Sequence, residues 1–318
     1  MIPSILDAIE RNHSFLVTTH ENPDGDAIGS SLGLALFLRN SGKEVTIHFK
    51  DPVPDLYGFL PLTDQVSSTL PDRPYDVCFV LDVGEFRRAG NAVTGCRTIG
   101  SFINIDHHLT RDLFGAINYI DSGAAATGVL IYRIIKASGQ TLDRDTALCL
   151  YTALLTDTGS FRYSNTNPEA FAIAADLIAA GLNAWYVTEH LFESQPAARL
   201  KLLTESLNTL IISPRGDVAS LAVTLDMYDR TGGSAELTDG FVNYPRSIKG
   251  VEVAIFLREI EPGAFKVGFR SKGKISVAAL AELFGGGGHH NAAGCNVPGT
   301  IDEVRALVLP RVYEALKG

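Results

Sequence analysis

Four clusters of aspartate and histidine follow apolar runs in the first half of this 318-residue chain. They are His20-Glu21-Asn22-Pro23-Asp24-Gly25-Asp26, then Asp82, then Asp106-His107-His108, and finally Asp157. Carboxylates gathered in one cleft repel one another and retain protons unless cations lie between them. A pair of divalent metals about 3.5–4 Å apart is the usual solution, and such pairs cleave phosphoesters. The pattern therefore indicates a chemistry as well as a fold.

Short β-rich runs alternate with helical patterns over residues 1–160, which predicts an α/β domain whose central parallel β-sheet is flanked by helices. The predicted strands span residues 15–19, 44–49, 77–82, 102–105 and 116–120, and the predicted helices span 27–41, 125–138, 144–156 and 168–180. In an open α/β sheet, ligands bind beyond the carboxyl ends of the strands. The clusters that follow the first, third and fourth strands should therefore share one cleft, which Asp157 joins from a helix end.

A smaller α/β unit with a mixed sheet is predicted for the C-terminal part of the chain. The predicted domains are a catalytic metal-binding domain (1–186), a helical linker (187–212) and a substrate-binding domain (213–318). The linker reads as one long helix over about residues 187–211. Strands are expected over residues 219–224, 252–259 and 265–270, and helices over 235–248, 277–284 and 301–316. We expect the active site in the cleft between the two domains.

Charge and composition limit the kind of partner. A net charge of −9 argues against tracking along long nucleic acid, but it leaves small phosphorylated substrates open. No apolar run approaches the roughly 18 residues of a membrane span, and the N-terminus lacks the regions of a signal peptide. The four cysteines are scattered without metal-binding spacing, which favours buried free thiols in a reducing cytoplasm. The sequence thus predicts a cytoplasmic protein that contacts no membrane.

The first cluster has the spacing HxxxDxD. Its proline and glycine force a turn that lets His20, Asp24 and Asp26 converge, as they could not on a straight strand. The helix that follows would aim its N-terminal N–H groups at the same pocket. The alternative is an aspartate-rich turn that caps a helix and binds no metal. Asp82 and Asp157 have similar alternatives, because aspartate is also common at the end of a strand or a helix without any function.

The triplet at residues 106–108 places two imidazoles beside a carboxylate. One neutral imidazole can bind metal while a carboxylate holds its ring, and the other can meet a phosphate as a charged donor or proton donor. The alternative is a polar loop in which the histidine nitrogens form hydrogen bonds and have no role in metal or phosphate binding. Carboxylates mixed with imidazole suit Mn²⁺ better than an all-oxygen Mg²⁺ site. The absence of cysteine ligands argues against structural zinc.

A run of four glycines at residues 285–288, followed by His289, is the main motif of the C-terminal part. Glycines expose backbone N–H groups and allow a phosphate to approach closely. The alternative is a flexible loop that ends a helix. Arg270 and Ser271 precede the run, and the guanidinium of Arg270 could donate two parallel hydrogen bonds to a phosphate. Arg87 and Arg88, just after Asp82, are weaker candidates for the same task.

These motifs resemble those of the DHH phosphoesterase superfamily. The resemblance rests on THENPDGDAIGS at residues 19–30, on Asp82, on the triplet at 106–108 and on DTG at 157–159. The segment FRS at residues 269–271, with FGGGGH and a later AG at 284–294, resembles the DHH-associated C-terminal domain of that superfamily. Nearly the whole chain is covered. Within that superfamily the motifs most resemble those of the NrnA type, whose members act as oligoribonucleases on very short RNA and as phosphatases on adenosine 3′,5′-bisphosphate (pAp).

The resemblance implies roles for individual residues. One metal would be held by His20, Asp24 and Asp82, and the other by Asp26, Asp82, His107 and Asp157, so that Asp82 bridges the pair. The ions would be two Mn²⁺, with Mg²⁺ or Co²⁺ as alternatives. His108 would contact the scissile phosphate, and Asp106 would orient the neighbouring histidine. The nucleotide would be held by Arg270, Ser271, Gly286, Gly287, Gly288 and His289. His290 and Asn291 depart from the usual pattern, which leaves substrate choice open.

The predicted function is a dinuclear-metal phosphoesterase. It would hydrolyse short oligoribonucleotides or linear dinucleotides such as pApA to mononucleotides, or remove phosphate from pAp, or both. Long duplex nucleic acid is not an expected partner, and the oligomeric state is left open, with a homodimer as one option. The alternatives are a cyclic-dinucleotide phosphodiesterase, a manganese inorganic pyrophosphatase and an inactive nucleotide-binding sensor. The glycine-histidine run argues against the pyrophosphatase, and the intact set of ligands argues against the sensor.

Overall fold

A computed structural model of the chain describes residues 1–108 and 112–317, and it divides into two units, Met1–Ser194 and Gln195–Gly318. Both units are of the α/β class, as the sequence predicts. The domain boundaries inferred from the sequence remain a prediction. No single described helix is long and apolar enough to cross a membrane, although Pro168–Ala179 and Ala184–Glu193, bent by 112° between them, pass the same test as a pair.

Six parallel strands form the sheet of the first unit. They are β1 (Ser14–Thr19), β2 (Glu44–His48), β3 (Val66–Ser67), β4 (Tyr75–Leu81), β5 (Ile99–Asp106) and β6 (Ile117–Ile120). Their order is β3-β2-β1-β4-β5-β6, so the chain builds outward in one direction from β1 and in the other from β4. Ligands of open α/β sheets bind at such a switch point, beyond the carboxyl ends of the two central strands. The first and second clusters of the sequence follow β1 and β4.

Helices cover this sheet, and one of them, α2, begins within the first cluster of the sequence. They are α1 (Ile2–Arg11), α2 (Gly25–Asn40), α3 (Asn91–Thr94), α4 (Thr127–Ser138), α5 (Arg144–Asp157), α6 (Pro168–Ala179) and α7 (Ala184–Thr188). Asp24 caps α2 by accepting hydrogen bonds from the backbone N–H groups of Asp26 and Ala27, both at 3.1 Å. The helices predicted from the sequence at 27–41, 125–138, 144–156 and 168–180 are confirmed within two residues.

Close packing of α2 on α5 brings the end of α5 to the first cluster. A Cβ atom at Gly25 would lie 2.5 Å from Oγ1 of Thr156, and one at Gly29 would lie 2.4 Å from the carbonyl oxygen of Cys149. Both glycines are therefore required by the approach of the second helix. This contact explains how Asp157, the last residue of α5, reaches a site that is otherwise built at strand ends.

The second unit has a mixed sheet, which confirms the prediction. Its elements are α8 (Ala197–Leu207), β7 (Ile211–Ile212), β8 (Val218–Val223), α9 (Leu225–Thr231), α10 (Asn243–Ser247), β9 (Val253–Glu261), β10 (Ala264–Ser271), α11 (Val277–Glu282), β11 (Gly287–His289), β12 (Ala292–Pro298) and α12 (Ile301–Ala315). The strand order is β11-β12-β10-β9-β8-β7, and β8 and β9 form the one parallel pair among the described strands of this second sheet. A core of Phe265, Val267 and Phe269 packs with residues of α11 and α12.

Two expectations about local structure are wrong, and the glycine run is partly a strand. The single long helix over residues 187–211 is interrupted after a π-helical turn at Glu189–Glu193, because Pro196 disfavours helix at the residue before it and cannot supply an N–H within it. The helix over 235–248 is reduced to a 3₁₀ turn and α10, since Gly240 adopts a φ of 76° between them. The glycine run, for which a flexible loop was the alternative interpretation, contributes Gly287 and Gly288 to β11, which pairs with β12.

The cysteines are all free, as predicted. Three of the four are buried, and Cys96 is half-buried. Burial strongly raises the pKa of the Cys78 and Cys149 thiols, so both stay protonated at neutral pH.

Candidate metal centre

The predicted ligands of the first unit meet beyond the carboxyl ends of β1, β4 and β5. Three groups of ligand atoms form there, and within each group the atoms lie within 4.8 Å of one another. The groups are His20, Asp24 and Asp82; Asp26, His107 and Asp157; and Asp82, His107 and His108. The structure thus brings together all the residues that the sequence singled out as metal ligands.

Asp82 lies at the middle of this arrangement. Its Oδ2 atom is 3.8 Å from Nε2 of His20, and its Oδ1 atom is 3.6 Å from Nε2 of His107. The backbone of Asp82 is left-handed, with a φ of 57°, and its N–H donates to the carbonyl of Ile105 at 3.0 Å. Left-handed backbone is uncommon for non-glycine residues, and such strain is concentrated at functional sites. The Oδ1 atom of Asp82 also lies 3.3 Å from Nδ1 of His108. The strand therefore ends in a conformation that turns one carboxylate toward three imidazoles.

The imidazoles of His20 and His107 are each held through the nitrogen that faces away from Asp82. Nδ1 of His20 lies 2.8 Å from the carbonyl of Glu21, and Nδ1 of His107 lies 3.2 Å from the carbonyl of Ala124. Because a carbonyl only accepts, the ring proton of a neutral histidine is placed on Nδ1 in both cases. The Nε2 lone pair then faces the carboxylates, which is how histidine ligands of metals are commonly oriented.

Asp26 is held by the N-terminus of α4. The backbone N–H groups of Thr127 and Gly128 donate to Oδ2 and Oδ1 of Asp26 at 2.6 and 3.0 Å. The Thr127 hydroxyl also donates to Oδ1 of Asp82 at 3.0 Å. A helix N-terminus stabilises negative charge. Sequence reasoning missed this support, because two of the three donors are backbone groups that leave no residue-type signal.

Asp157 is supported by a residue from the loop that follows it. Oδ2 of Asp157 is 3.7 Å from Nε2 of His107 and accepts a hydrogen bond from Nδ2 of Asn165 at 3.0 Å. The same amide donates to the carbonyl of Ala125 at 2.9 Å. Asn165 therefore ties Asp157 to the loop that presents Ala124 to His107. This asparagine was also missed from the sequence.

The Asp106–His108 pair has a distinct geometry. Oδ1 of Asp106 lies 2.7 Å from Nδ1 of His108 and accepts the backbone N–H of the same residue at 2.9 Å. Its Oδ2 accepts the N–H of Gly84 at 2.8 Å. Although burial opposes ionisation, the hydrogen bonds and charge of His108 hold the pKa of Asp106 below its usual range. An ionised, fully bonded Asp106 therefore fixes the ring of His108.

Burial and mutual repulsion make it unfavourable for the carboxylates of the cluster to be ionised together. Burial raises the pKa of Asp26 and Asp82 well above the usual range, and each is raised further by neighbouring carboxylates. Burial also raises the pKa of Asp157 and lowers that of His20. For His107, burial alone would lower the pKa, but the charges of Asp26 and Asp157 outweigh it and the net shift is upward. Divalent cations would relieve this repulsion, and the mixed oxygen and imidazole donors fit them.

Arg88 lies beside the same cluster. Its carbonyl accepts the N–H of Glu21 at 2.8 Å, and its guanidinium charge adds to burial in lowering the pKa of His20. The Nη1 atom makes a long contact of 3.4 Å with the carbonyl of Val83, and no carboxylate in the described residues pairs with it. Its neighbour Arg87 instead forms an ion pair with Glu85. Of the two arginines, only Arg88 is placed to affect the cluster.

The residues predicted to hold a nucleotide lie at one end of the second sheet. Arg270 and His289 are both in register with Ala292 of β12, one on each side of it. Nη1 of Arg270 donates to the carbonyl of Phe269 at 3.0 Å. Ser271 is buried, and its Oγ lies 3.0 Å from the carbonyl of Ile275. The N–H of Gly286 donates to a carbonyl of α11, and Gly287 and Gly288 belong to β11. The side chain of His289 lies outside the described residues, and the nucleotide contacts stay a prediction.

Comparisons with known proteins agree with this organisation. The N-terminal domain of the DHH family matches residues 14–154, and the DHHA1 domain matches residues 219–317. The bifunctional oligoribonuclease and PAP phosphatase NrnA of Thermus thermophilus is 36% identical over 318 residues, which covers 99% of this chain and 94% of that protein. The protein of the same name from Bacillus subtilis is 27% identical and covers 93% of each.

The fold also has a close counterpart among solved structures. An exopolyphosphatase-related protein from Bacteroides fragilis superposes with a TM-score of 0.91 at 30% identity, covering 99% of this chain and 95% of that one. RecJ of Thermus thermophilus shares the fold more distantly, with a TM-score of 0.54 at 13% identity over 54% of its own length.

Proposed function

The chain belongs to the DHH family of phosphoesterases, and we propose that it hydrolyses short oligoribonucleotides and pAp with two divalent metal ions. The observation that carries the proposal is the position of Asp82, whose two oxygens face different histidines. The full-length similarity to NrnA proteins supports the choice of substrate. The net charge of −9 fits short substrates held at a local site rather than long duplexes.

The metal ligands would divide between two ions. His20, Asp24 and Asp82 would hold the first, and Asp26, His107 and Asp157 would hold the second together with Asp82. Mn²⁺ is the proposed ion because borderline imidazole and hard carboxylate donors are mixed in both sets. When bound, the two ions would activate a water molecule and stabilise the charge that develops on the phosphoryl group.

The remaining groups of the site act on the substrate. Asp106 accepts the Nδ1 proton of His108, so the ring can carry a second proton on Nε2 and donate it to a phosphate oxygen or to the leaving group. Arg88 would add a fixed positive charge to the reacting phosphate from the side of His20. The N-terminus of α4 and Asn165 would keep Asp26 and Asp157 in place.

The second unit would bind the rest of the nucleotide. Arg270 and Ser271, with Gly286, Gly287, Gly288 and His289, are proposed to hold its terminal phosphate. In this proposal, residues 1–186 carry the chemistry and residues 213–318 set the length of the substrate that fits.

The proposal is tested by offering four substrates side by side with Mn²⁺: pAp, pApA, a five-nucleotide RNA and pyrophosphate. Asp82→Ala and His107→Ala serve as inactive controls. Release of mononucleotide from pApA and of phosphate from pAp, absent in both variants, is the expected result. Turnover of pyrophosphate alone, or no turnover with tight binding of pApA, would contradict it.

A further inference from the structure

One face of the second sheet, where β10 pairs with β12, has two glycines and an alanine in neighbouring positions and therefore carries few large side chains. Along β10, Phe265, Val267 and Phe269 point into the core, so Lys266, Gly268 and Arg270 lie on the opposite face. The neighbours of Gly268 and Arg270 on β12 are Gly294 and Ala292. A Cβ atom added at Gly268 would meet only one carbonyl, 3.8 Å away, and one at Gly287 would meet nothing within 4 Å. We call this surface the open face.

Two cations stand opposite each other at one end of the open face. Lys266 of β10 is in register with Arg258 of β9, and register partners share a face. Lys266 is exposed and Arg258 is half-buried. Like charges directly opposite in an antiparallel pair are destabilising. A cross-strand pair of this kind would therefore be stabilised by a bound anion or by a counter-ion from the protein.

The described part of the protein does not supply that counter-ion. Ion pairs in the described C-terminal unit are made by Arg215, Arg230 and Arg311, and neither Lys266 nor Arg258 forms one. Nη1 of Arg258 donates to the carbonyl of Ala235 at 3.2 Å, which holds the guanidinium without neutralising it. Although the side chain of Lys266 is exposed, partial desolvation of its ammonium group by the surrounding residues, and after it the charge of Arg258, lower the pKa of Lys266. A bound anion would remove this mutual repulsion.

The Lys266–Arg258 pair is too far from Arg270 to belong to the predicted terminal-phosphate site. Lys266 and Arg270 are four residues apart on one strand, so their Cα atoms are roughly 13 Å apart at about 3.3 Å per residue. Neighbouring phosphates of a single strand lie closer together than that. The Arg270 side chain is moreover turned back to the carbonyl of Phe269. Gly268 lies between the two cations and leaves room for a sugar or base.

Building on the proposed function, we propose that Lys266 and Arg258 form a second phosphate site, which binds a backbone phosphate of short RNA beyond the first two nucleotides. The open face would then bind a stretch of RNA, with Arg270 at one end, the Lys266–Arg258 pair at the other and Gly268 between them. The pair gives affinity for substrates longer than a dinucleotide, and it takes no part in turnover of pApA or pAp.

The test compares Lys266→Gln and Arg258→Gln with Lys249→Gln, which alters an exposed lysine of the same unit that precedes β9. Binding of pApA and of a five-nucleotide RNA is measured by calorimetry in EDTA, where turnover is stopped, at several salt concentrations. The wild-type protein is also assayed for turnover of both substrates with Mn²⁺. Circular dichroism melts of each variant establish that the sheet still folds, and Lys266→Gln, at an exposed position, is the variant that decides.

We expect Lys266→Gln to weaken binding of the five-nucleotide RNA about five-fold, as for loss of one exposed ion pair worth up to about 1 kcal/mol. The slope of log K against log salt should become shallower by about 0.7 for the lost phosphate contact. Binding of pApA should stay within about two-fold of wild type, and Lys249→Gln should change neither substrate.

Equal losses for both substrates, or an unchanged salt slope, would overturn the inference. Binding of inorganic phosphate at Lys266 without any preference for RNA would do so as well. If the wild-type protein turns over neither substrate, the proposed function fails; if it turns over both while Lys266→Gln binds the longer RNA normally, only the second phosphate site fails.

Discussion

Oδ1 of Asp82 lies 3.6 Å from Nε2 of His107, at the point where a central strand ends in a left-handed residue. The other oxygen of the same carboxylate faces His20. A carboxylate in this position can belong to two metal ions at once, and its replacement should affect both.

Asp82→Asn is expected to lower the turnover of pApA by more than about 100-fold, the upper range for loss of an outer-shell partner of a metal ligand. Asparagine tolerates the left-handed backbone, so the fold should persist. The rise in melting temperature that Mn²⁺ gives the wild-type protein should be absent in the variant. A variant that keeps both its activity and that rise would show that Asp82 is not a ligand.

The stability of the metal-free protein should depend on pH through Asp82. Its folded pKa is raised by burial above the unfolded value of about 3.9, so its favourable contribution is present at low pH and is lost as pH rises through the folded pKa. We expect the melting temperature of Asp82→Asn in EDTA to exceed that of wild type by an amount that grows as pH is raised above the unfolded value of about 3.9 toward neutrality. A difference that is constant over this range would contradict the raised pKa.

Asn165→Ala should weaken metal binding without unfolding the protein. The amide of Asn165 positions Asp157, and loss of such partners costs roughly 10- to 100-fold in metal affinity or activity. Activity should recover as Mn²⁺ is raised. Asn183→Ala is the matched control, because Asn183 caps α7 and should cost about 1 kcal/mol of stability with no change in metal affinity. Equal behaviour of the two variants would remove the positioning role.

Arg88→Gln should reduce kcat/KM for pAp by about 10- to 100-fold, the range for loss of one hydrogen bond to a charged group. Arg87→Gln should stay near wild type, because Arg87 is exposed and pairs with Glu85. Steady-state kinetics at saturating Mn²⁺ measure both. Comparable losses in the two variants would point to a general effect of charge rather than a contact at Arg88.

Much of the site could be predicted because its ligands follow buried strands of a parallel sheet. The clusters after β1, β4 and β5 had to meet, since the carboxyl ends of parallel strands lie at one edge. The supporting groups could not be predicted in the same way. The N–H groups of Thr127 and Gly128 and the carbonyl of Ala124 act through the backbone, which any residue type supplies.

The prediction of the fold from sequence was wrong where long-range pairing or a single residue overrides a local pattern. The helical pattern over residues 187–211 continues across Pro196, but the proline ends it. Gly287 and Gly288 have low strand propensity and yet join β11, because pairing with Gly294 and Ala293 of β12 decides their structure. Such partners, distant along the chain, are not visible in a local window of sequence.

The most direct measurement of the central claim is the number of Mn²⁺ ions bound per chain, by calorimetry on the metal-stripped protein. We expect two ions for wild type and loss of tight binding at both sites in Asp82→Ala, because one carboxylate would serve both. A wild-type stoichiometry of one or zero, or an Asp82→Ala variant that still binds two ions tightly, would contradict a dinuclear centre bridged by Asp82.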